Sequence, residues 1–392
     1  MLLWSGQTVS ALGSRVSATA VPLLVLAMTG SPAVAGIIGF LGALPHLLVQ
    51  LPAGVLVDRW DRWRTMLICD IGRLAAVASV PIAWWLGWLS ITQVAVVAFV
   101  EASLYVFFHL AEGAALPRIV GTAELPAALA QNEAKTRGAT LAGMPLGGLL
   151  FGLDRALPFV ADAISYALST VALLLMRRRD LAGPRPEAPA SMWREAVAGV
   201  RWLVGQPLLR AAVLLVAGSN LIFQAVTLTV IVLAAQRGAS PAMIGLVLGC
   251  WGIGGLLGAF VAPWLQPVLP PKVVVIGVHW VWAALLPLLL VPREPLLLGM
   301  VGAAAAFVGP LWNVVMGTYM LTLTPNHLLG RVRSVSSLVT WGAIPFGSLI
   351  GGLLLEAYGP AATVWSLAGL MLALAIAAVA SPSVRHAPPL HS

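Results

Sequence analysis

The feature that most constrains this chain is a cluster of five charges set between two long apolar runs. The charges lie between positions 58 and 64, at Asp58, Arg59, Asp61, Arg62 and Arg64. The run 31–57 before them contains no Asp, Glu, Lys or Arg, and the run 65–88 after them contains only Asp70 and Arg73. About 20 helical residues cross the hydrocarbon core of a bilayer. Both runs therefore predict membrane-spanning helices joined by a short charged loop.

The composition excludes an ordinary soluble domain. Hydrophobic residues make up 60% of the chain, charged residues only 9%, and the mean hydropathy is +0.95, whereas soluble domains carry about a quarter of charged residues. The high pI, near 10.5, fits loops that face anionic headgroups rather than a nucleic-acid partner. Cys69 and Cys250 both lie in apolar runs, so we expect no disulfide framework.

The pattern predicts an all-α membrane protein with twelve transmembrane helices in two six-helix bundles related by pseudo-two-fold symmetry. The predicted spans are 3–28, 32–57, 65–87, 91–116, 132–152, 156–176, 208–235, 241–265, 272–291, 296–322, 329–355 and 360–381. Gaps after even-numbered spans, with the adjoining helix ends, hold sixteen Lys and Arg residues. Gaps after odd-numbered spans hold only Arg155, Arg237 and Arg293. The positive-inside rule then places both termini in the cytoplasm.

A polar stretch divides the chain into two halves. We predict an N-terminal bundle over residues 1–176, a cytoplasmic linker over 177–206, and a C-terminal bundle over 207–392. The end of the linker is predicted to be an amphipathic helix lying on the inner membrane surface, because four apolar side chains share one face. They are Trp193, Val197, Val200 and Val204.

The two halves repeat one another in sequence. The segment 31–36, which begins Ser-Pro, matches 240–245 at an offset of 209 positions, and 145–149, which begins Pro, matches 345–349 at an offset of 200. Two parallel six-helix repeats are typical of transporters built from two bundles.

At these residues the chain resembles the major facilitator superfamily. The charged loop follows its signature G-x-x-x-D-R, with Gly54, Asp58, Arg59, Arg62 and, one place late, Arg64; Asp61 stands where the family usually has glycine. Span five resembles the family's antiporter motif, with the proline displaced by one, at Gly143, Pro145, Gly147 and Gly148. The stretches 116–120, 132–134, 161–165 and 329–332 resemble the branch that holds macrolide-efflux proteins, enterobactin-type siderophore exporters and transmembrane secretion effectors.

The resemblance implies that the charged loop is a cytoplasmic gate. In the family the aspartate equivalent to Asp58 meets the N-terminus of helix eleven, here near residues 329–331, where a helix dipole favours a carboxylate. Arg118 and Asp70 are further candidate partners of this loop. The alternative is that the loop only anchors the topology.

Ionisable residues inside spans are costly and mark pathways or partners. We predict that Arg15 of span one and Glu101 of span four pair in one state of a central cavity, and that proton binding to Glu101 favours the other state. Glu112 lies on the same face of span four as Glu101 but nearer its cytoplasmic end, a position that suits a gate. The alternative for the Arg15–Glu101 pair is a structural ion pair. Asp162, and the couple Asp70 and Arg73, are expected to hold helices together.

The second half offers polar and aromatic candidates rather than carboxylates. We predict that the substrate cavity is lined by Tyr105, Asn220, Gln224, Trp312 and Asn313, with simple helix packing as the alternative for each residue. His46 and His279 are expected to be packed or interfacial.

These features predict a secondary active exporter of small amphiphilic molecules, drug-like or siderophore-like, working by alternating access with proton antiport. The alternatives are an uptake transporter of the same fold or a non-transporting homologue. A membrane enzyme is disfavoured, since Asp58 and Asp61 are interleaved with arginines, and a Walker A sequence is lacking. We expect no cofactor and no metal, no nucleic-acid partner, and a monomer in the plasma membrane.

Overall fold

The computed structural model describes residues 2–176 and 192–388, and throughout these ranges the regular structure is helical. The helices are α1 (Leu2–Thr29), α2 (Pro32–Leu48), α3 (Gln50–Arg59), α4 (Arg62–Trp85), α5 (Ile91–Leu153), α6 (Leu157–Leu175), α7 (Met192–Gly205), α8 (Pro207–Gln236), α9 (Pro241–Leu265), α10 (Pro271–Leu288), α11 (Pro295–Leu323), α12 (Leu329–Ala380) and α13 (Pro382–Arg385).

The repeat seen in the sequence has a local structural counterpart at two helix starts. Gly30 and Gly238 both adopt positive φ, 67° and 77°, which glycine accepts without a Cβ clash. The hydroxyl of Ser31 then accepts a hydrogen bond from the Val34 N–H at 3.3 Å, and that of Ser240 accepts one from Met243 at 3.3 Å. A glycine followed closely by Ser-Pro therefore ends one helix and caps the next in both halves.

Within the described ranges, nine helices are long and apolar enough to cross a membrane, against twelve predicted spans. Two of the three missing spans lie where the backbone stays helical through a predicted gap, because α5 and α12 each cover two predicted spans. The third is the predicted second span, which is divided at Val49 into the shorter helices α2 and α3.

Helix α5 reverses direction even though its backbone is helical from Ile91 to Leu153. The ammonium of Lys135 lies 3.2 Å from Oε1 of Glu112. A straight helix would separate residues 23 positions apart by about 34 Å, at 1.5 Å per residue. The two ends of α5 therefore run beside each other, as the predicted spans 91–116 and 132–152 require.

Helix α12 is interrupted at one glycine. Gly359 has φ 74° and ψ 173°, values outside the helical region, and Pro360 follows it. The predicted boundary between the last two spans lies at the same point, because only glycine reaches this φ without strain and proline cannot continue the preceding hydrogen-bond ladder.

The chain forms two compact units. One comprises Met1–Glu187 with Gly238–Gly249, and the other comprises Ala188–Arg237 with Cys250–Ser392. In the first, α1 packs against α5 and α6, and α4 packs against the same two helices; in the second, α12 packs against α8 and α10. A core cluster of the first unit contains Met66, Phe108 and Leu173.

Helix α7 belongs to the second unit and is amphipathic. Gly199 packs against the Arg331 backbone and the Val335 side chain of α12, and Leu203 is buried on the same side. The predicted apolar face points away, with Val197, Val200 and Val204 all exposed. The side chain of Trp193, predicted to share that face, lies outside the described residues.

The reversal of α5 is testable by cross-linking. In a variant with Cys69 and Cys250 replaced by serine, cysteines introduced at 112 and 135 should be joined in high yield by a short bifunctional thiol reagent. Cysteines at Leu297 and Met320 of α11 have the same sequence separation but should lie about 34 Å apart and remain unlinked. Equal yields for both pairs, read by mass spectrometry, would contradict the reversal.

Candidate functional site

A buried polar network in the first unit centres on Arg73 of α4. Its guanidinium donates to the Glu101 carboxylate of α5, with Nη2 2.7 Å and Nε 3.1 Å from Oε1. Nη2 also lies 2.5 Å from the Tyr166 hydroxyl of α6 and 3.2 Å from the Ser14 hydroxyl of α1. Only 2% of the Arg73 side chain is exposed, so these contacts replace its hydration. One guanidinium thus ties together four helices.

The network holds Glu101 asymmetrically. Oε1 accepts both Arg73 hydrogen bonds and a third from the Tyr166 hydroxyl at 2.9 Å. All three donors converge on this one oxygen, and 27% of the Glu101 side chain remains exposed. The carboxylate is therefore fixed at one oxygen while the side chain stays accessible.

Aromatic rings and a second carboxylate complete the surroundings of Arg73. Its Cζ lies 4.2 Å from the Tyr166 ring centroid and 5.2 Å from that of Tyr105, positions at which a cation is attracted to a ring face. Asp70, one turn earlier on α4, approaches Arg73 Nη1 at 3.9 Å and accepts a 2.6 Å hydrogen bond from Ser169 of α6. Asp70 and Arg73 thus contact α6, as expected for residues that hold helices together.

The partner of Glu101 differs from the one predicted. The sequence suggested Arg15, but in this structure the Glu101 carboxylate pairs with Arg73, and Arg15 is an exposed residue of α1. Helix periodicity alone cannot decide between two arginines on different helices. The pairing of Arg15 with Glu101 in another state stays a prediction.

Glu112 takes part in a second polar cluster of the same unit. Lys135 bridges Glu112 Oε1, at 3.2 Å, and Gln7 Oε1 of α1, at 3.0 Å. His109 Nδ1 lies 3.6 Å from Glu112 Oε2. Both limbs of α5 and the start of α1 therefore meet at Glu112.

The charged loop is anchored by Asp61, which departs from the family signature, and by Trp63. Asp61 is the N-cap of α4: its Oδ1 accepts a 2.9 Å hydrogen bond from the Arg64 N–H. The indole N–H of Trp63 donates at 2.9 Å to the Leu173 carbonyl, in the last turn of α6, where the same oxygen also accepts from the Met176 N–H at 3.2 Å. Asp61 in place of glycine therefore has a structural explanation, since glycine has no side chain to cap with.

The remaining gate candidates differ in exposure and position. Arg59 and Arg64 are exposed, Arg62 opens α4, and Gly54 has no close neighbour at the position of a Cβ. The side chains of Asp58 and Arg118 lie outside the described residues. The gate therefore stays a prediction.

The antiporter-like glycines let helices approach closely, as predicted. A Cβ on Gly143 would lie 2.5 Å from the Arg15 Cβ, and one on Gly147 would lie 2.6 Å from the Val16 carbonyl oxygen. Gly148 and Pro145 face the start of α9 instead, at Gly245 and Gly249 respectively. The residues of this motif therefore contact two different helices, α1 on one side of α5 and α9 on another.

The second unit repeats this packing. A Cβ on Gly347 of α12 would meet the Leu221 carbonyl oxygen of α8, and one on Gly351 would lie 2.8 Å from the Ala225 Cα. At the repeat offset of 209, Val16 corresponds to Ala225. The internal repeat is therefore also a repeat of helix contacts.

The cavity candidates of the second unit are mostly engaged in packing. The amide N–H groups of Asn220 and Gln224 donate to Thr340 O at 2.9 Å and Ser348 Oγ at 3.0 Å, both on α12. Trp312 is only 3% exposed and packs edge-on against buried His279, with 4.9 Å between ring centroids. Asn313 is exposed. Trp312 therefore packs helices in this structure, the alternative given for it, and its role in a substrate cavity stays a prediction; His279 is packed as predicted.

Two network members, Tyr166 and Ser14, carried no signal in the sequence. Both are uncharged and lie in apolar spans, where such residues are common. The sequence identified Arg73 as a charge within a span, but it did not predict which residue of another helix would pair with it.

A profile of the transmembrane secretion effector family matches residues 1–388. The multidrug efflux pump Tap of Mycolicibacterium fortuitum is 29% identical over 399 residues, covering 98% of this chain and 96% of that protein. Macrolide efflux protein A of Streptococcus pyogenes is 24% identical over 176 residues, 45% of this chain and 44% of that protein. A crystal structure of a bacterial homologue of the iron transporter ferroportin, in an inward-facing state, covers 97% of each chain with a TM-score of 0.75 and 15% identity. The structural likeness concerns the fold.

Removal of the Arg73 guanidinium should destabilise the first unit. Arg73→Met leaves Glu101 and Asp70 without their shared cation, a change that typically costs about 3–5 kcal/mol. We expect a lower Tm in detergent micelles, and partial recovery when Glu101→Gln is added, because the uncompensated charge is then removed. Arg64→Met, at an exposed arginine, is the control and should leave the Tm nearly unchanged. A Tm for Arg73→Met equal to that of the control would refute the stabilising role.

Loss of the Asp61 cap should have a smaller effect. Asp61→Ala removes the acceptor for the Arg64 N–H and should cost about 1 kcal/mol. Asp61→Asn keeps an oxygen in the same place and should retain most of the stability, since Asn caps as well as Asp. Thermal unfolding in detergent distinguishes the two variants; identical losses would show that the charge, rather than the cap, matters.

Proposed function

Because the chain belongs to the transmembrane secretion effector family of the major facilitator superfamily, we propose that it is a proton-coupled exporter of small amphiphilic molecules. The family and the relatives are multi-pass membrane transporters rather than enzymes. The names of two relatives, a multidrug efflux pump and a macrolide efflux protein, support drug export. These two names favour export over uptake for this chain.

The observation that carries proton coupling is the Glu101 site. An intramembrane carboxylate that is accessible, yet linked to a buried arginine, can exchange a proton for its ion pair. When Glu101 is ionised, its Oε1 holds Arg73, and through Arg73 it connects α1, α4, α5 and α6. Protonation would remove the negative charge and weaken that connection.

Alternating access follows if the two protonation states favour different helix arrangements. A ligand shifts a conformational equilibrium only by its differential affinity for the two states. The proton supplies such a difference here, because Arg73 keeps its charge in both states and must find another partner when Glu101 is neutral. Asp70, 3.9 Å away, is the nearest candidate.

We propose twelve spans, arranged as two six-helix bundles joined by the linker 177–206, with both termini in the cytoplasm of a plasma-membrane monomer. The reversal of α5 and the interruption of α12 at Gly359 support the span count. The excess of Lys and Arg in gaps after even-numbered spans supports the orientation.

Substrate recognition is proposed to lie beside the same helix face. Tyr105 is 37% exposed on α5, one turn from Glu101, and offers an aromatic surface next to a carboxylate. In the second unit, taken by itself, Asn313 of α11 is the exposed candidate. An aromatic ring face beside a carboxylate can contact both the apolar and the polar part of an amphiphilic molecule.

Replacement of Glu101 tests the proposal. Substrates are first identified with amphiphilic antibiotics and siderophores, in cells that lack their own pumps. Glu101→Gln should then abolish substrate movement driven by a proton gradient in everted vesicles, because the amide cannot take up a proton. Substrate binding to the purified variant should persist.

Glu124→Gln serves as the matched control, since Glu124 is exposed and the same atoms are exchanged. It should transport at the wild-type rate. Wild-type proton-driven transport by Glu101→Gln would overturn the coupling role of this residue.

A further inference from the structure

One face of α5 carries an uninterrupted series of proton-exchanging side chains. Glu101, Tyr105 and His109 follow at intervals of four residues and Glu112 comes three residues later, so that all four lie on one stripe of the helix. Their groups are a carboxylate, a phenol, an imidazole and a second carboxylate. Each of these groups can both accept and donate a proton at some stage of its titration.

The members of this series are in contact along the helix. The rings of Tyr105 and His109 are stacked, with centroids 5.7 Å apart and planes 5° from parallel. His109 Nδ1 then lies 3.6 Å from Glu112 Oε2. At the other end, Tyr105 lies against the same guanidinium that holds Glu101.

The exposed fraction of the side chains rises from Glu101 to His109. The Glu101 side chain is 27% exposed, Tyr105 is 37% exposed, and the His109 side chain is 67% exposed. Glu112 is 9% exposed and is held by Lys135. His109 is therefore the most exposed member of the series.

The charged and titratable groups around His109 come from three neighbouring segments. His46 of α2 lies 5.8 Å from Tyr105 between ring centroids. Lys135, of the second limb of α5, holds the other oxygen of Glu112. Arg15 of α1 acts electrostatically on Tyr105. None of these three is a carboxylate that would compete with Glu112 for a protonated imidazole.

We propose that His109 is the residue through which the proton bound at Glu101 leaves towards the cytoplasmic solvent, with Tyr105 between them. This inference rests on the proposed function of Glu101. Imidazole is suited to the role because one of its ring nitrogens can accept a proton while the other donates one.

The transfer conserves charge and atoms at each step. The O–H bond of the Glu101 carboxylic acid breaks and its electron pair stays on the carboxylate. The Tyr105 hydroxyl accepts this proton and gives up its own in the same step, so that the phenol stays neutral. A new N–H bond forms on His109, giving an imidazolium beside Glu112, and the imidazolium then releases a proton to solvent water.

The first test is removal of the imidazole. His109→Ala should lower the rate of proton-driven substrate movement in vesicles by about tenfold, less than the ~10²–10⁴ of a committed general acid–base group, because water reaches the exposed series. Substrate affinity of the purified protein should be unchanged. Exchange of labelled for unlabelled substrate at equal concentrations, which needs no net proton release, should also be unchanged.

The second test is chemical rescue. Free imidazole added to the vesicles should restore much of the lost rate in His109→Ala, because the vacated position is open to solvent. His386→Ala removes an exposed histidine of the second unit and is the matched control for the effect of imidazole on the gradient. It should show neither a loss nor a gain.

The outcomes separate this inference from the proposed function. An unchanged rate in His109→Ala, or a lost rate that imidazole does not restore, overturns the role of His109 while leaving that of Glu101 intact. Normal proton-driven transport by Glu101→Gln overturns the proposed function, and with it the inference, even if His109→Ala is slow and rescued. His109→Gln, which preserves polarity but not titration, should behave like His109→Ala; a normal rate in that variant also overturns the inference.

Discussion

A buried guanidinium must find its hydrogen-bond acceptors in the protein because it has no access to water. In the first unit this guanidinium is that of Arg73, and the surrounding helices supply its acceptors. Its side chain is 2% exposed, and burial of an unpaired cation would cost far more than one helix contact returns. Glu101 supplies the opposite charge, and Tyr166 and Ser14 supply oxygen acceptors from two other helices. The positions of α1, α4, α5 and α6 are therefore coupled through a single charged group.

Close helix contact makes this arrangement possible. Apolar side chains give little drive for helix association in lipid, so small residues that admit near approach become important. Gly143 and Gly147 bring the second limb of α5 against α1, where Ser14 and Arg15 lie. The equivalent glycines of α12 pack on α8 in the second unit. The two units thus share close helix contacts at glycine.

The charged loop shows how a departure from a family pattern acquires a physical reason. The sequence located the loop and its signature but offered no explanation for Asp61 or Trp63. The structure shows that Asp61 caps α4 and that Trp63 donates to the end of α6. Capping by Asp can be predicted from a sequence when the helix start is known. The contact of Trp63 with Leu173 joins residues 110 positions apart and cannot be predicted in this way.

The sequence by itself determined the class, the apolar spans, the internal repeat and the family, because each depends on local hydropathy, on loop charges or on short motifs. The predicted boundary between the last two spans also coincides with the break in α12 at Gly359 and Pro360, where backbone sterics act at the residue itself. Only the tertiary structure decided that Glu101 pairs with Arg73 rather than with Arg15, that Tyr166 and Ser14 join them, and that Trp312 is packed. The physical reason is that helical periodicity fixes which residues share a face of one helix, whereas the choice of partner depends on how several helices rotate and pack against one another.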